Sequence, residues 1–285
     1  MPSNNQITAY YNGLYADKAN KFSEKQMQLA RQSMVGYVKQ LQRCGSFNEH
    51  ATFLDLGGGL GYYAQAAKEQ GMHSTLVDLD KCSVDFATQH HNLDAVCLGT
   101  SEEFAAKSER KYDIVFLRHV IEHYVDPRTL LNAACTLLAE GGVLILETDN
   151  NRGIEMLVRP GTRKWYTDLY KGRFKDVSRL SLLLKRPFAV DPPRHLHGFS
   201  IKNLERMMAP LDMKSLITHT YRLGDPIYWP NLPDTSIQEV ARPFIRLNLR
   251  GFVDNAVDFC LLPLRFILAA SGHAAGLCIY ATKRK

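Results

Sequence analysis

A glycine-rich turn near residue 57 has the residue types of a ligand-binding site. In the stretch "ATFLDLGGGLGYYA", Gly57, Gly59 and Gly61 stand at alternate positions, and Asp55 precedes the first of them by two residues. Glycines allow the backbone to turn sharply and to approach a ligand closely. Backbone amides at the start of the following helix favour an anionic group, whereas an aspartate favours an ammonium group. The turn therefore predicts a site for a ligand that carries both charges.

Two common nucleotide-binding patterns do not fit this turn. A Walker loop needs a lysine followed by serine or threonine after its glycines, and no lysine follows here. The dinucleotide fingerprint needs a third glycine where Tyr62 stands. S-adenosylmethionine carries a carboxylate, an amine and a sulfonium, and it fits the pattern that remains. Further along, a predicted strand in "TLVDLD" ends at Asp78. This aspartate would bind ribose hydroxyls or cap the next helix. Leu79 beside it would pack on the adenine ring.

The histidines offer acid–base chemistry. "HVIEH" formally matches a zinc-protease signature, HxxEH. That motif needs a long helix, but here it follows the predicted strand "YDIVFL" and precedes a turn. We therefore expect no metal, and we expect Arg118 and His119 to face the ligand at the end of this strand. His123 is interpreted either as a structural residue or as a wall of the site.

A second pair of histidines lies in "PPRHLHGF". His195 and His197 alternate, so one would point into the site and the other away from it. A histidine with a pKa near neutral can act as a general base. His195 and His119 are the candidate bases, and His197 is a candidate substrate contact.

These residues need a scaffold in which strand ends meet at one edge. Short apolar runs alternate with helical patterns, which predicts an α/β fold with a mostly parallel sheet covered on both faces. The predicted strands are 51–56, 74–77, 95–98, 112–117, 143–147, 213–220 and 276–283. The predicted helices are 61–70, 82–90, 101–108, 127–139 and 200–208, after a helical start at 7–41.

The chain divides into four predicted parts. They are an N-terminal helical cover at 1–45, a Rossmann-like cofactor-binding core at 46–150, a basic lid insertion at 151–198, and a C-terminal part of the core at 199–285 with an apolar helical insertion at about 222–275.

A family resemblance follows from the order of the motifs. "FLDLGGGLGYYA", "LVDLD", "GTSEEF", "YDIVFLRHVIEHYVDP" and "LLNAACTLLAEGGVLILETDN" resemble the consecutive motifs of class I S-adenosylmethionine-dependent methyltransferases, with domains of types 23 and 11. "HLHGFSIKNLERMM" resembles the next helix of a small-molecule subgroup that includes ubiquinone and sugar O-methyltransferases. The resemblance implies a seven-stranded sheet with an antiparallel last strand, and S-adenosylhomocysteine as the product.

The resemblance also assigns roles to individual residues. It implies that Asp55, Gly57 and Gly59 contact the methionine part and that Asp78 contacts the ribose. Relatives often have a cysteine where Gly58 stands, and we expect this difference to be harmless.

The adenine contact departs from the family pattern. The family often places an aspartate after the third motif's glycine, where this chain has Thr100. Ser101 or Glu102 would then take over the contact to the adenine amine.

The acceptor is indicated mainly by charge. The chain has a net charge of +6, and residues 151–195 contain eleven basic and four acidic residues. Arg163, Trp165 and Tyr166 of this segment are candidate substrate contacts, and they favour a small anionic acceptor such as a sugar, a carboxylated metabolite or a lipid-linked group. A solvated surface is the alternative interpretation of the segment. The histidines favour O-methylation.

Other functions stay open or are disfavoured. The motifs of base-modifying methyltransferases (NPPY-like, or cysteine after proline) are absent, which disfavours nucleic acid as acceptor. A non-catalytic binding module and an RNA or protein methyltransferase are the alternative functions. Scattered cysteines and the lack of a signal-like start favour the cytoplasm. The apolar stretch after Phe259 is interrupted by Pro263, Arg265 and His273, and it fits a core helix, a homodimer interface or peripheral membrane contact.

Overall fold

The computed structural model describes residues 22–154, 195–221, 260 and 262–284. The candidate substrate contacts Arg163, Trp165 and Tyr166 lie outside these residues. So do most of the predicted basic insertion and most of the predicted apolar insertion.

Seven strands and seven α-helices make up the described part of the chain. The strands are β1 Thr52–Leu56, β2 His73–Asp78, β3 Ala95–Leu98, β4 Tyr112–Arg118, β5 Leu138–Asp149, β6 Met213–Tyr221 and β7 Gly276–Lys283. The helices are α1 Glu24–Arg43, α2 Tyr62–Glu69, α3 Lys81–His90, α4 Ser101–Lys107, α5 Pro127–Leu137, α6 Ile201–Met208 and α7 Leu262–Ala270. Single 3-10 turns span Ile121–His123 and Ala209–Leu211.

The strands form one sheet in the order β3-β2-β1-β4-β5-β7-β6. β1 to β5 pair in parallel, whereas β7 runs antiparallel to both β5 and β6. The predicted fold class and the antiparallel last strand are therefore confirmed. Since the order reverses between β1 and β4, the carboxyl ends of these strands border the crevice in which open α/β sheets bind ligands.

Apolar residues from alternate strand positions form two core layers. On one face, Met34 and Tyr37 of α1 pack with Phe53 and Phe116 of the sheet. On the other face, α5 and α6 cover the side chains that point the opposite way, such as Leu54. This division decides which side chains at the strand ends share a face.

Helix starts follow local sequence signals. The Asp80 carboxylate accepts a hydrogen bond from the Ser83 backbone N–H at the start of α3. Thr100 and Glu103 form a reciprocal capping box at the start of α4. The interpretation of Asp78 as the N-cap of α3 is wrong, because Asp80 occupies that position.

The fifth strand begins earlier than predicted. α5 ends at Leu137 and β5 begins at Leu138, which pairs with Tyr112 before a bulge interrupts the register. Regular pairing resumes at Val143, where the predicted strand begins. Glu140 and Gly141, which lie between these two parts of the strand, are exposed. They interrupt the apolar run, so the sequence pattern does not indicate the early pairing.

The C-terminal helix α7 contacts β6. Leu264 and Ile267 on this helix are exposed. Among the residues that the structure describes, no helix combines the length and the apolar character needed to cross a membrane.

Candidate active site

A pocket of about 470 Å³ lies at the carboxyl ends of β1, β2 and β4. This volume is in the usual range for small-molecule sites. Nine of the predicted site residues line it, namely Gly57, Gly59, Asp78, Leu79, Thr100, Ser101, Glu102, His119 and His123.

Sequence reasoning missed part of the wall. Val120, Tyr124, Asp126 and Thr129 also line the pocket. They follow the end of β4 closely, and their nearness to the HxxEH motif was the available signal. These residues line the pocket because the 3-10 turn after β4 lies opposite α4, an arrangement that local sequence does not indicate.

The glycine turn lines the pocket with Gly57 and Gly59. Gly57 and Gly59 have φ angles of 80° and 55°, which glycine adopts without strain. The Gly57 amide donates to the Val77 carbonyl at 2.7 Å, which ties the turn to β2. A Cβ atom on Gly57 would lie 2.8 Å from Val120. Gly57 can therefore lie this close to Val120 only because it has no side chain.

The Asp78 carboxylate faces the pocket from the end of β2. Its Oδ2 accepts a hydrogen bond from the Gly59 amide at 2.7 Å, and its Oδ1 accepts one from the Asp80 amide at 2.8 Å. Each oxygen has a second lone pair, so the carboxylate can accept two further hydrogen bonds from hydroxyl groups. Burial raises the pKa of Asp78, and the two amides oppose that effect.

A small polar cluster lies where α4 and the 3-10 turn meet. Tyr124 Oη donates to Ser101 Oγ at 2.9 Å and lies 3.3 Å from Glu102 Oε2. Thr129 Oγ1 donates to the other oxygen of Glu102 at 3.1 Å. The Thr100 hydroxyl accepts from the Glu103 amide within the capping box. Of the three residues predicted here, Glu102 thus offers acceptor oxygens, whereas the Thr100 oxygen is used by its helix.

His119 is held between acidic groups at the end of β4. Its φ of 52° is unusual for a residue other than glycine, and such backbone strain is often found at functional sites. Its Nδ1 lies 3.0 Å from Glu122 Oε1 and 3.7 Å from Asp149 Oδ1, and its Nε2 lies 3.5 Å from Glu147 Oε1. Burial would lower the pKa of His119, but the hydrogen bonds to Glu122 and Glu147 outweigh it and raise the pKa to about 10. His119 is therefore an imidazolium at neutral pH.

Glu147 is the buried centre of a second polar group. Tyr37 Oη and Tyr221 Oη both donate to its carboxylate, and Arg118 Nε lies 3.4 Å from it. Burial would raise the pKa of Glu147, whereas the charges of Arg118 and His119 lower it to about 2. Glu147 therefore stays ionised and fixes the positions of its partners.

The two histidines of "PPRHLHGF" have different neighbours. His195 Nδ1 lies 3.5 Å from Asp149 Oδ2, and its ring centroid is 4.9 Å from that of His123, which lines the pocket. His197 Nε2 instead lies 3.1 Å from the Val125 carbonyl oxygen. His195 thus lies beside the pocket wall, whereas the His197 ring is engaged with main chain.

Three predicted cofactor contacts do not line the pocket. Asp55 and Arg118 lie on the sheet face that packs against α1 and α2. Gly61 is the N-cap residue immediately before α2, and a Cβ atom there would lie 3.2 Å from Ala87, His91 and Leu76, so its role is close packing.

The expectation that glycine in place of the relatives' cysteine at position 58 is harmless stays a prediction, but the reverse change would meet resistance here. A Cβ atom on Gly58 would overlap the Asp55 carboxyl group and lie 2.5 Å from Leu76.

The HxxEH segment does not form the helix that a zinc-protease motif needs. It begins at the end of β4 and continues as the 3-10 turn Ile121–His123. Donor atoms of Glu122, His123 and His195 lie within 4.8 Å of one another, as do those of His119, Glu122 and Asp149. Glu122 already binds His119 and accepts a hydrogen bond from Thr148 Oγ1 at 2.8 Å. The expected absence of a metal stays a prediction.

Comparison with known proteins identifies a family. The family model described as a methyltransferase domain matches residues 24–214, which is more than half of the chain. The chain is 29% identical over 161 residues to the ubiquinone biosynthesis O-methyltransferase of Caulobacter vibrioides, covering 51% of this chain and 62% of that protein. It is 26% identical over 196 residues to the Escherichia coli protein of the same name, covering 67% and 76%. The chain spans about half the length of the first curated relatives that it matches.

A solved structure with the same fold is magnesium protoporphyrin IX methyltransferase from Synechocystis, which contains S-adenosylhomocysteine. It aligns with a TM-score of 0.55 and 12% identity over 99% of this chain and 100% of that chain. At this identity, the similarity concerns the fold alone.

Proposed function

This chain belongs to the class I S-adenosylmethionine-dependent methyltransferases, and we propose that it transfers a methyl group to an oxygen of a small-molecule acceptor. The observation that carries the proposal is the juxtaposition of the glycine turn and Asp78 in one pocket at the sheet edge. The names of the curated relatives support O-methylation.

The chemistry of the pocket fits the cofactor. Asp78 has lone pairs for the ribose hydroxyls, Gly57 and Gly59 line the same pocket, and Glu102 offers oxygens to an adenine amine. When bound, S-adenosylmethionine supplies an electrophilic methyl group. The contribution of the protein is then to align the acceptor oxygen with that methyl group, and orientation of this kind accounts for about 7 to 11 kcal/mol in model reactions.

Removal of the acceptor proton is assigned to His195. An imidazolium cannot accept a proton, so the charge state of His119 argues against the base role predicted for it. His195 lies next to Asp149, which can orient its ring and stabilise the protonated form. His119 then contributes a fixed positive charge near the acceptor oxygen.

The nature of the acceptor rests on the basic segment. Its excess of positive charge supports an anionic acceptor, with Arg163, Trp165, Tyr166 and His197 as candidate contacts. A sugar, a carboxylated metabolite and a lipid-linked group remain the candidate classes. Mass spectrometry of small molecules that copurify with the protein would identify pairs that differ by one methyl group.

Calorimetric titration with S-adenosylhomocysteine tests the cofactor site. Asp78→Ala should weaken binding more than tenfold, because ribose hydroxyls would lose their acceptor. Asp85→Ala, which removes an exposed carboxylate paired with Lys81 on α3, is the matched control and should leave binding unchanged. Equal affinity of Asp78→Ala and wild type would contradict the site, and no binding by wild type would contradict the proposed function.

Turnover of the identified acceptor tests the base. His195→Ala should reduce the rate by roughly 10²- to 10⁴-fold, the usual contribution of a general base. Full turnover by both His195→Ala and His119→Ala would mean that alignment alone suffices.

A further inference from the structure

One carboxylate lies between two imidazole rings beside the ends of β4 and β5. Asp149 Oδ1 lies 3.7 Å from His119 Nδ1, and Asp149 Oδ2 lies 3.5 Å from His195 Nδ1. The His195 side chain is 12% exposed and that of Asp149 is 24% exposed, so solvent screens these charges only in part. A proton on one ring therefore alters the proton affinity of the other.

The main chain holds His195 against this carboxylate. The Leu196 amide donates to the Glu122 carbonyl oxygen at 2.8 Å, and the Asn151 amide donates to the Phe199 carbonyl oxygen at 2.7 Å. These bonds tie the segment around His195 to the 3-10 turn after β4 and to the residues after β5. Neither bond involves a charged side chain. We therefore expect a change of charge in the cluster to leave the His195 ring in place.

His119 is the ring that carries a fixed charge. Although burial lowers its pKa, the hydrogen bonds to Glu122 and Glu147 raise this pKa to about 10. Titratable and charged groups among the described residues surround the two rings from β4, the 3-10 turn, β5 and β6, namely Arg118, Glu122, His123, Glu147, Asp149 and Tyr221. Without the charge of His119, Arg118 would be the permanent cation left among them to balance three carboxylates. The excess negative charge would then draw a proton onto His195.

We propose that His119 is a positioning residue for the base: its positive charge lies against Asp149 and Glu122, and it thereby keeps His195 neutral and able to accept a proton. This inference rests on the proposed function, since it concerns the base of the same site. With Nδ1–H donated to Asp149, the atom of His195 that accepts the proton is Nε2. The acceptor oxygen gives its proton to Nε2 and uses the electron pair that remains to bond the methyl carbon, whose former bonding pair stays on sulfur.

The substitutions for the test change one charge each. His119→Asn removes the cation, while asparagine tolerates the φ of 52° at this position and its amide can donate as Nδ1–H does. His119→Lys restores the cation. Asp149→Asn removes one anion and keeps the shape of the side chain. His50→Asn is the control, because His50 is exposed just before the start of β1, at the opposite edge of the sheet.

NMR titration of the ring Cε1–H signals measures the charge of His195 directly. The full chain is titrated with a metal chelator and without any ligand, and the signal that is lost in His195→Gln identifies this ring among the ten histidines. In wild type we expect its midpoint below about pH 7. His119→Asn should raise the midpoint by about one unit or more, whereas Asp149→Asn should lower it by about one unit. His119→Lys and His50→Asn should leave it within about 0.3 units of wild type.

Each result decides for or against the inference. An unchanged or lower His195 midpoint in His119→Asn, with the fold retained by circular dichroism, would overturn it. Upward shifts in both His119→Asn and Asp149→Asn would reflect a change of structure and would also overturn it. If His119→Asn does not fold, Asp149→Asn and wild type decide, because a wild-type midpoint above about pH 7 would mean that His195 is already protonated at neutral pH. The titration needs no ligand, so failure of wild type to bind S-adenosylhomocysteine would contradict the proposed function and not this coupling.

Discussion

Replacing Glu122 with glutamine should destabilise the protein by about 3 kcal/mol at neutral pH. Glu122 is fully buried, and its carboxylate binds the His119 imidazolium at 3.0 Å and the Thr148 hydroxyl at 2.8 Å. Glutamine keeps the shape and the acceptor oxygen but removes the charge. Burial would raise the pKa of Glu122, whereas His119 lowers it from 4.5 to about 2. A change of one unit in pKa corresponds to 1.36 kcal/mol, so this lowering of the Glu122 pKa corresponds to about 3 kcal/mol. Breaking other buried ion pairs has a similar cost.

The pH dependence gives the prediction a characteristic form. Because the folded-state pKa of Glu122 is below its unfolded value, its contribution is complete above pH 4.5 and is lost as the pH falls toward 2. The contribution of His119 has the opposite sign of dependence, since its pKa rises on folding. It is complete below pH 6.5 and is lost as the pH rises toward 10. The difference between wild type and Glu122→Gln should therefore shrink above pH 10, where His119 is neutral.

Urea unfolding at pH 6, 8 and 10.5 measures this difference. Glu140→Gln is the control, because Glu140 is an exposed residue near the start of β5, and it should change stability by less than about 0.5 kcal/mol. A loss below about 1 kcal/mol for Glu122→Gln at pH 6 to 8 would refute the reasoning. A large loss that is the same at pH 10.5 would also refute it, because it would then arise from packing and not from charge.

Three further substitutions probe other contacts. Gly58→Ala should destabilise the protein by about 1 to 3 kcal/mol in urea unfolding, because its Cβ would overlap Asp55, and an unchanged midpoint would show that the turn can relax. Thr100→Ala should cost about 1 kcal/mol of stability, because the cap of α4 is lost. In calorimetry its affinity for S-adenosylhomocysteine should stay within twofold of wild type. A larger loss of affinity would mean that the hydroxyl group contacts the ligand. Tyr221→Phe should cost about 1.5 to 3 kcal/mol, since its hydroxyl donates to the buried Glu147 carboxylate at 2.5 Å; a change below about 0.5 kcal/mol in the same unfolding assay would contradict that bond.

Much of the fold could be read from the sequence, because it follows from local patterns. Apolar runs and helix caps placed the strands and helices to within a few residues, and the main error was the start of β5. There, Leu138 pairs with Tyr112 across a bulge, a contact between residues far apart in the chain that local periodicity does not encode. The alternative interpretation of Asp78 as a helix cap was wrong because Asp80, two residues later, makes the capping hydrogen bond at the start of α3.

The part of the candidate site that lies at the ends of β1 and β2 could be predicted from the sequence. Gly57 and Gly59 follow β1 and Asp78 ends β2, so parallel pairing of β1 and β2 alone brings them together. Arg118 was predicted beside them, but strand alternation places its side chain on the face under α1 and α2. Tyr124 and Thr129 were missed because they reach the pocket through the turn after β4, whose direction is set by packing against α4.

The sequence by itself determined the order of the elements, the glycine turn and the family, since these depend on residue types at short spacing. Only the tertiary structure decided the charge states at the sheet edge. His119 carries the pattern of a candidate base, yet it is an imidazolium because Glu122, Glu147 and Asp149 converge on it. The pKa of a side chain depends on its burial and on charges within a few ångströms. Two of these charges, Glu147 and Asp149, come from the neighbouring strand β5, and the third comes from the 3-10 turn after β4.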